Sequence, residues 1–222
     1  MMKKYLLIAT LLLCQCLAFG QGNVYTKKAR LEDFTARTTR VVLTGQELFD
    51  AILKEEISSR WMISPYEFCT VTDYTRDRYT DLYYFIRFTF DADFTYMTLS
   101  KGGDPDAENQ LKQGFDVVMI PIAPAEMTGG DELLYLPAYI DIMQTYIGKA
   151  MESDRVAYRG LKGLGSKVIG PVYTDPSKAA EAFNKAEKFA NVKVEIASSS
   201  SNRKYELIFT TDTHELRSIK KK

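Results

Sequence analysis

The sequence predicts an α/β domain in which helices pack on a mixed sheet and the chain ends in a β-hairpin. Three observations lead there. Strand-like and helix-like segments interleave from residue 40 to 210 with no repeat of fixed period. Tyr139, Ile142, Met143, Tyr146, Ile147, Ala150 and Met151 recur at helical spacing and give one long apolar stripe. Two alternating segments, 192–196 and 205–210, are joined by the polar run Ser198-Ser199-Ser200-Ser201-Asn202, as in a terminal hairpin.

The first 20 residues read as a secretory signal peptide. Lys3 and Lys4 precede an uncharged run over residues 5–13, and Ala18-Phe19-Gly20 places small residues where a signal peptidase reads, so cleavage before Gln21 is expected. The apolar run is shorter than the roughly 20 residues a membrane-spanning helix needs. A lipoprotein is the competing reading, through Cys14 or Cys16, but Leu13 and Gln15 stand where such signals carry a small residue. No later segment has 18 consecutive apolar residues, so no span is expected after processing.

Processing would remove two of the 29 basic residues, none of the 29 acidic ones and two of the three cysteines. The resulting charge of about −2 argues against a nucleic-acid partner, which needs clustered Lys and Arg. The terminal Lys220-Lys221-Lys222 is expected to be a solvated, frayed end. Cys69 would stand alone, a small buried apolar residue with no intramolecular disulfide to make.

Residues 21–39 have little periodicity and form an extended lead-in to an α/β domain over 40–222. Arg40-Val41-Val42-Leu43 is a short strand, and Thr44 with Glu47 suggests a capping box that opens a helix to about Trp61. Tyr66 and Phe68 suit a strand, after which Thr70 and Asp73 cap a short helix over 71–78. Segments 82–90 and 94–100, joined by Asp91-Ala92-Asp93, form a hairpin. Gly102-Gly103 ends it and a polar helix follows from Asp104-Pro105. Residues 115–120 are a central strand closed by Pro121 and Pro124, and 133–136 a further strand. After the long helix from Pro137, the glycines at 160, 163, 165 and 170 mark the most flexible internal segment, and a small carboxy-terminal subdomain from about 166 is the alternative to one continuous domain. Val172-Tyr173 is a short strand, and Asp175-Pro176 opens a helix to about Ala190.

The chemistry that can be read is mostly negative. One histidine and one mature cysteine cannot build a four-ligand zinc site, and no metal or other cofactor is expected. Asp104, Asp106 and Glu108 resemble part of a calcium loop, but the turn glycine and the twelfth-position glutamate are missing; a solvated helix start is the simpler role. Gly163-Leu164-Gly165-Ser166-Lys167 lacks the order of a phosphate loop and precedes a strand. His214, among Asp212, Thr213 and Glu215, is expected in an exposed tail, away from any nucleophile, so no catalytic residue is assigned.

The densest unusual segment is Arg60-Trp61-Met62-Ile63-Ser64-Pro65-Tyr66-Glu67-Phe68-Cys69, with the only tryptophan. Its ordinary role would be to turn the first helix back onto the sheet; as a ligand surface it would present Trp61, Tyr66 and Phe68. The stretch from Trp61 to Cys69, together with Leu99-Ser100-Lys101-Gly102-Gly103, Leu136-Pro137-Ala138-Tyr139-Ile140-Asp141-Ile142 and Met151-Glu152-Ser153-Asp154, resembles a family of exported proteins from Gram-negative bacteria with no assigned activity. The likeness covers roughly residues 40–160 and implies no catalytic residue. The order strand, amphipathic helix, Trp-then-aromatic strand is also similar to α/β domains of periplasmic lipoproteins that assist envelope assembly.

These features are those of a non-catalytic exported protein, periplasmic or extracellular, that binds a protein or glycan of the cell envelope. The alternative is a carboxylate-dependent hydrolase acting on glycan or peptide, which would need two acids about 5–10 Å apart in one concavity.

Overall fold

The computed structural model describes residues 28–104, 114–125 and 130–222. The signal peptide expected over residues 1–20 and the polar helix expected after Asp104 lie outside these residues. Nine strands, β1 (Thr38–Val42), β2 (Tyr66–Cys69), β3 (Tyr83–Phe90), β4 (Phe94–Lys101), β5 (Phe115–Pro124), β6 (Val172–Tyr173), β7 (Asn191–Ala197), β8 (Lys204–Thr210) and β9 (Leu216–Lys221), form two sheets among the described residues. Six α-helices accompany them among these residues: α1 (Glu47–Arg60), α2 (Val71–Asp77), α3 (Asp131–Leu134), α4 (Leu136–Glu152), α5 (Asp154–Arg159) and α6 (Pro176–Asn184). The α/β class with mixed sheets and packed helices is therefore the observed one.

The first sheet has the order β2-β1-β3-β4-β5. β1 runs parallel to β2 and β3, whereas β3, β4 and β5 are successively antiparallel. Because side chains alternate across a strand, Val41, Tyr84, Ile86, Met97 and Leu99 enter the main core. Val42, Cys69 and Phe85 form a separate small cluster on the opposite face. The main core also takes Phe49, Leu53 and Ile57 from α1, and nine residues of α4 are buried. Each fully buried side chain of this size contributes about 1.5–3 kcal/mol over exposure.

The second sheet has the order β6-β7-β8-β9, with only β6–β7 parallel. Its Val192, Leu207 and Phe209 belong to the same core as the first sheet. At the far end the sheets are clamped through Asp93 in the β3–β4 turn. Its Oδ1 accepts from the hydroxyls of Ser198 (2.8 Å), Ser200 (3.1 Å) and Ser201 (2.7 Å), and its Oδ2 from Arg203 (2.9 Å). The serine run, expected as a turn, is thus also a latch between sheets.

Several local expectations are corrected. The lead-in enters the core: Leu31 and Phe34 are fully buried between short 3-10 turns. Asp33 is held there by Lys101 Nζ (2.8 Å) and the Tyr84 hydroxyl (2.8 Å). The start of α1 uses no Thr44–Glu47 box, because Thr44 lies too far before the first helical residue. The buried Asp50 carboxylate accepts from the Thr44 N–H (2.8 Å) and the Gly45 N–H (2.9 Å) instead. β5 runs through Pro121 and Pro124, which an edge strand tolerates since one side needs no ladder donors. Residues 131–134 are helical, after Gly130 in the left-handed region (φ 75°). The glycine-rich stretch is pinned: Leu161 and Leu164 are buried, and a Cβ on Gly163 would stand 3.1 Å from Val156 Cα. α6 stops at Asn184, with Ala186 and Phe189 at positive φ beyond it. The chain does not fray after the β7–β8 hairpin but adds β9, and the Lys222 N–H donates to the Lys204 carbonyl (2.8 Å).

Candidate binding cleft

The Trp61 segment performs its ordinary role. α1 ends at Arg60, and Trp61, 4 % exposed, drops into the core edge-on to Phe34 (6.3 Å between centroids). Its Nε1 donates to Ser64 Oγ (3.1 Å), which also contacts Thr39 Oγ1 (2.8 Å), so the return of the chain is fixed against β1. Trp61 is therefore buried and presents no ligand surface of its own. Tyr66 and Phe68 are half-buried on edge strand β2, edge to face at 5.7 Å and packed on the core. The three do not form one exposed patch.

A concavity lies elsewhere, between the sheets. It has a volume of about 600 Å³. One wall is the end of β5, at Ile122, Ala123 and Pro124; the helical side brings Leu134, Tyr135 and Tyr139 with Ala179 and Ala180 of α6. Residues 193–197, all consecutive on β7, complete it. Tyr135 is fixed by edge-on contacts with Phe183 (5.1 Å) and Phe209 (5.7 Å). The small side chains at 179 and 180 leave the space: on a helix whose other inward positions are Ala182 and Phe183, they keep α6 from filling the gap to β5.

Charge at this cleft is balanced. Glu195 receives Lys204 Nζ (3.0 Å), and Lys193 Nζ reaches Glu206 (3.0 Å). Lys222 Nζ is bonded to the same Glu206 (2.7 Å), and this bond and that from Lys193 hold its carboxyl down at about 2. Glu195 is the only carboxylate on the cleft wall among the described residues.

A second, smaller concavity of about 210 Å³ lies on the opposite face of the first sheet. Arg87 spans it, bonded to Asp116 (2.8 Å) and Ser100 Oγ (3.3 Å), with Arg78 beside it. It also offers one carboxylate, and that one is ion-paired. Neither concavity holds the two acids that glycoside or peptide hydrolysis by carboxylates requires.

His214 is not in a tail. Its Nδ1 is 2.7 Å from Asp141 Oδ2, its ring stacks on Phe183 (5.0 Å, 20° between planes), and its backbone takes φ 53°. Asp141 also accepts from Arg60 Nη1 (3.0 Å), and Arg60 Nε from Glu56 is 2.7 Å. The acid–imidazole pair would orient a general base, but among the described residues no hydroxyl or thiol is hydrogen-bonded to His214. The arrangement ties α1 and α4 to the β8–β9 turn. Among the described residues no three His, Cys, Asp or Glu side chains converge to hold a metal ion, and no helix is long and apolar enough to cross a membrane.

Sequence reasoning missed the cleft because its walls come from four separate segments, with the β5 wall ending at Pro124 and the β7 wall beginning at Lys193. One local signal pointed to it: a two-residue β6 cut short by Asp175-Pro176 cannot cover a seven-residue β7. Compared with family models, with curated proteins and with solved structures, the chain matches none.

Proposed function

We propose that this chain is a non-catalytic exported protein that binds a protein or other component of the cell envelope in the cleft between its two sheets. The observation that carries the reading is the cleft itself. Its volume falls in the 300–1,000 Å³ range of ligand sites, its helical wall is apolar, and its charged side chains are already paired. Export is supported by Lys3 and Lys4 ahead of the apolar run and by Ala18-Phe19-Gly20.

The test places a photo-cross-linker at the half-buried Ala180 in the full chain, expressed in a Gram-negative host and fractionated. The expected result is a chain starting at Gln21 in the periplasmic or extracellular fraction, with one discrete adduct that is lost when Thr174→Arg blocks the cleft wall. Retention in the cytoplasm refutes export, and a chain with no adduct, or with the same adducts after the cleft is blocked, refutes the binding site.

A further inference from the structure

The wall that β7 presents to the cleft is an open sheet edge. The Asn191 N–H donates to the Pro171 carbonyl (2.9 Å), so it points away from β8 and toward β6. Backbone groups alternate in direction along a strand, so the N–H and C=O of Glu195 and Ala197 point the same way as those of Asn191. The Ser198 N–H checks the alternation, since it donates to the Arg203 carbonyl on the β8 side (2.9 Å). β6 pairs only with Asn191 and Val192, because after Tyr173 the chain turns into the Asp175 cap and α6. Among the described residues no strand pairs with β7 on that side beyond Val192.

Two other edges, β5 and β9, carry prolines or a covering loop that this one lacks. β5 carries Pro121 and Pro124, which lack donors. β9 ends in Lys220 and Lys221, and its Arg217 carbonyl is taken by the Ser166 N–H (3.0 Å). Prolines, terminal lysines and covering loops are the usual means by which edges avoid pairing. The free stretch of β7 has no proline and faces a cavity, and residues on both of its sides line that cavity, as a strand approached edge-on would.

We infer that the cleft takes an extended peptide segment of a partner protein, added as a strand along β7 on the line β6 leaves vacant. This rests on the binding reading above and names the chemistry of its ligand. Donors and acceptors repeating every second residue, about 6.8 Å apart, are matched by an extended polypeptide and not by a glycan. The same alternation sets the side chains: every second residue of the peptide turns inward against Ile122, Tyr139 and Ala179 and is apolar. The intervening ones project beside Lys193 and Glu195 and are polar. Main-chain bonds supply affinity and the alternate pockets supply selectivity.

The experiment uses the processed full chain and the capped heptapeptide Lys-Val-Thr-Val-Thr-Val-Lys, which continues β6 in its parallel sense so that the N–H groups of the inward valines face β7, with a version N-methylated at those valines as the second probe. Amide exchange is followed residue by residue. The peptide is expected to slow exchange of the Glu195 and Ala197 amides by about tenfold or more, and the methylated probe to bind at least about tenfold more weakly. Ala197→Pro, which removes an outward N–H without touching the β8 ladder, should weaken the peptide similarly. Equal binding of both probes, or peptide shifts at Ala180 with the two amides unprotected, overturns strand addition and spares the cleft as a binding site. No peptide binding with the Ala180 adduct still forming also overturns strand addition alone, whereas loss of both overturns the reading beneath it. A dimer dissociated by Ala197→Pro would assign the edge to a second copy and overturn the partner peptide.

Discussion

In a chain begun at Gln21, Cys69 is the only thiol, and its environment makes a quantitative forecast. It closes β2, pairs with Val42, and sits with Val42 and Phe85 under Tyr74 and Tyr83, 7 % exposed. Burial pushes the thiol up to about 11; Arg40 opposes the shift, while Asp73, Glu67 and Asp77 add to it. The thiolate is the reactive form. At pH 8 an ordinary cysteine of pKa about 8.5 is roughly one quarter thiolate, and one of pKa about 11 roughly one thousandth, a difference of about two hundredfold before any steric term. The assay is the pH dependence of labelling by a chromogenic disulfide, native against guanidinium-unfolded, from pH 7 to 10. The native rate should lie at least about two hundredfold below the unfolded rate at pH 8 and keep rising about tenfold per pH unit to the end of the range. A native rate within about tenfold of the unfolded one, or one that levels off near pH 8.5, refutes the reasoning. For a protein proposed to work in an oxidising compartment, this burial also keeps an unpaired thiol from intermolecular disulfides.

Acid should loosen the molecule in a defined window. Glu206, held by Lys222 and Lys193, and Asp77, held by Arg76 and Arg40, are both depressed to about 2. Each is a stronger acid folded than unfolded, so its contribution is full above about pH 4.5 and is lost as pH falls through about 2; chemical denaturation measured between pH 7 and 2 should show this decline. Asp93 is depressed further by the Ser201 and Ser198 hydroxyls, so Asp93→Asn should lower stability at pH 7 and shrink the loss below pH 4; an unchanged acid dependence would count against the latch. Gly170 and Gly45 make a matched pair. Both have positive φ (92° and 86°), but a Cβ on Gly170 would stand 2.0 Å from the Phe189 carbonyl oxygen, whereas one on Gly45 meets nothing within 4 Å. Gly45→Ala should cost about 1–2 kcal/mol and Gly170→Ala clearly more, about 3 kcal/mol or above, read by thermal unfolding; equal losses would contradict the backbone geometry.

What could be read locally was read correctly where local chemistry decides the outcome. The Thr70–Asp73 capping box forms reciprocally, with Thr70 Oγ1 accepting from the Asp73 N–H (3.1 Å) and Asp73 Oδ2 accepting from the Thr70 N–H (3.1 Å). The Asp175 cap forms as well, on the Lys178 N–H (3.1 Å), and the long stripe from Tyr139 to Ala150 lies in the core. The failures share a cause. Thr44 and Glu47 fit a capping pattern, but the buried Asp50 carboxylate takes the Thr44 N–H that Glu47 would have accepted. The 133–136 segment, expected as a strand, is helical on either side of Tyr135, and Leu133 and Leu134 pack on a core built largely from other segments. His214 and the lead-in look solvated along the chain, and each is organised by a residue far from it in sequence, Asp141 and Lys101 respectively, while β9 is ordered by pairing with the preceding strand β8.

The candidate site belongs to this second kind, and its position follows from where the two sheets cannot close on each other. The Asp93 latch and the Phe94–Tyr205 contact (4.8 Å) bring the sheets together at one end, while α6 starts from β6 at the other. Between these fixed points β7 is longer than the strand beside it, and β5 cannot serve as that partner because Pro121 and Pro124 remove donors from its edge. Lengthening β6 would cover the donors and acceptors of Glu195 and Ala197, but Asp175-Pro176 stops the strand and starts α6 with small residues at 179 and 180. The termination of one strand, the prolines of another and the alanines of a helix therefore act together. Each leaves the same few ångströms of space, and each would be unnecessary if the edge of β7 were meant to stay covered by the chain itself.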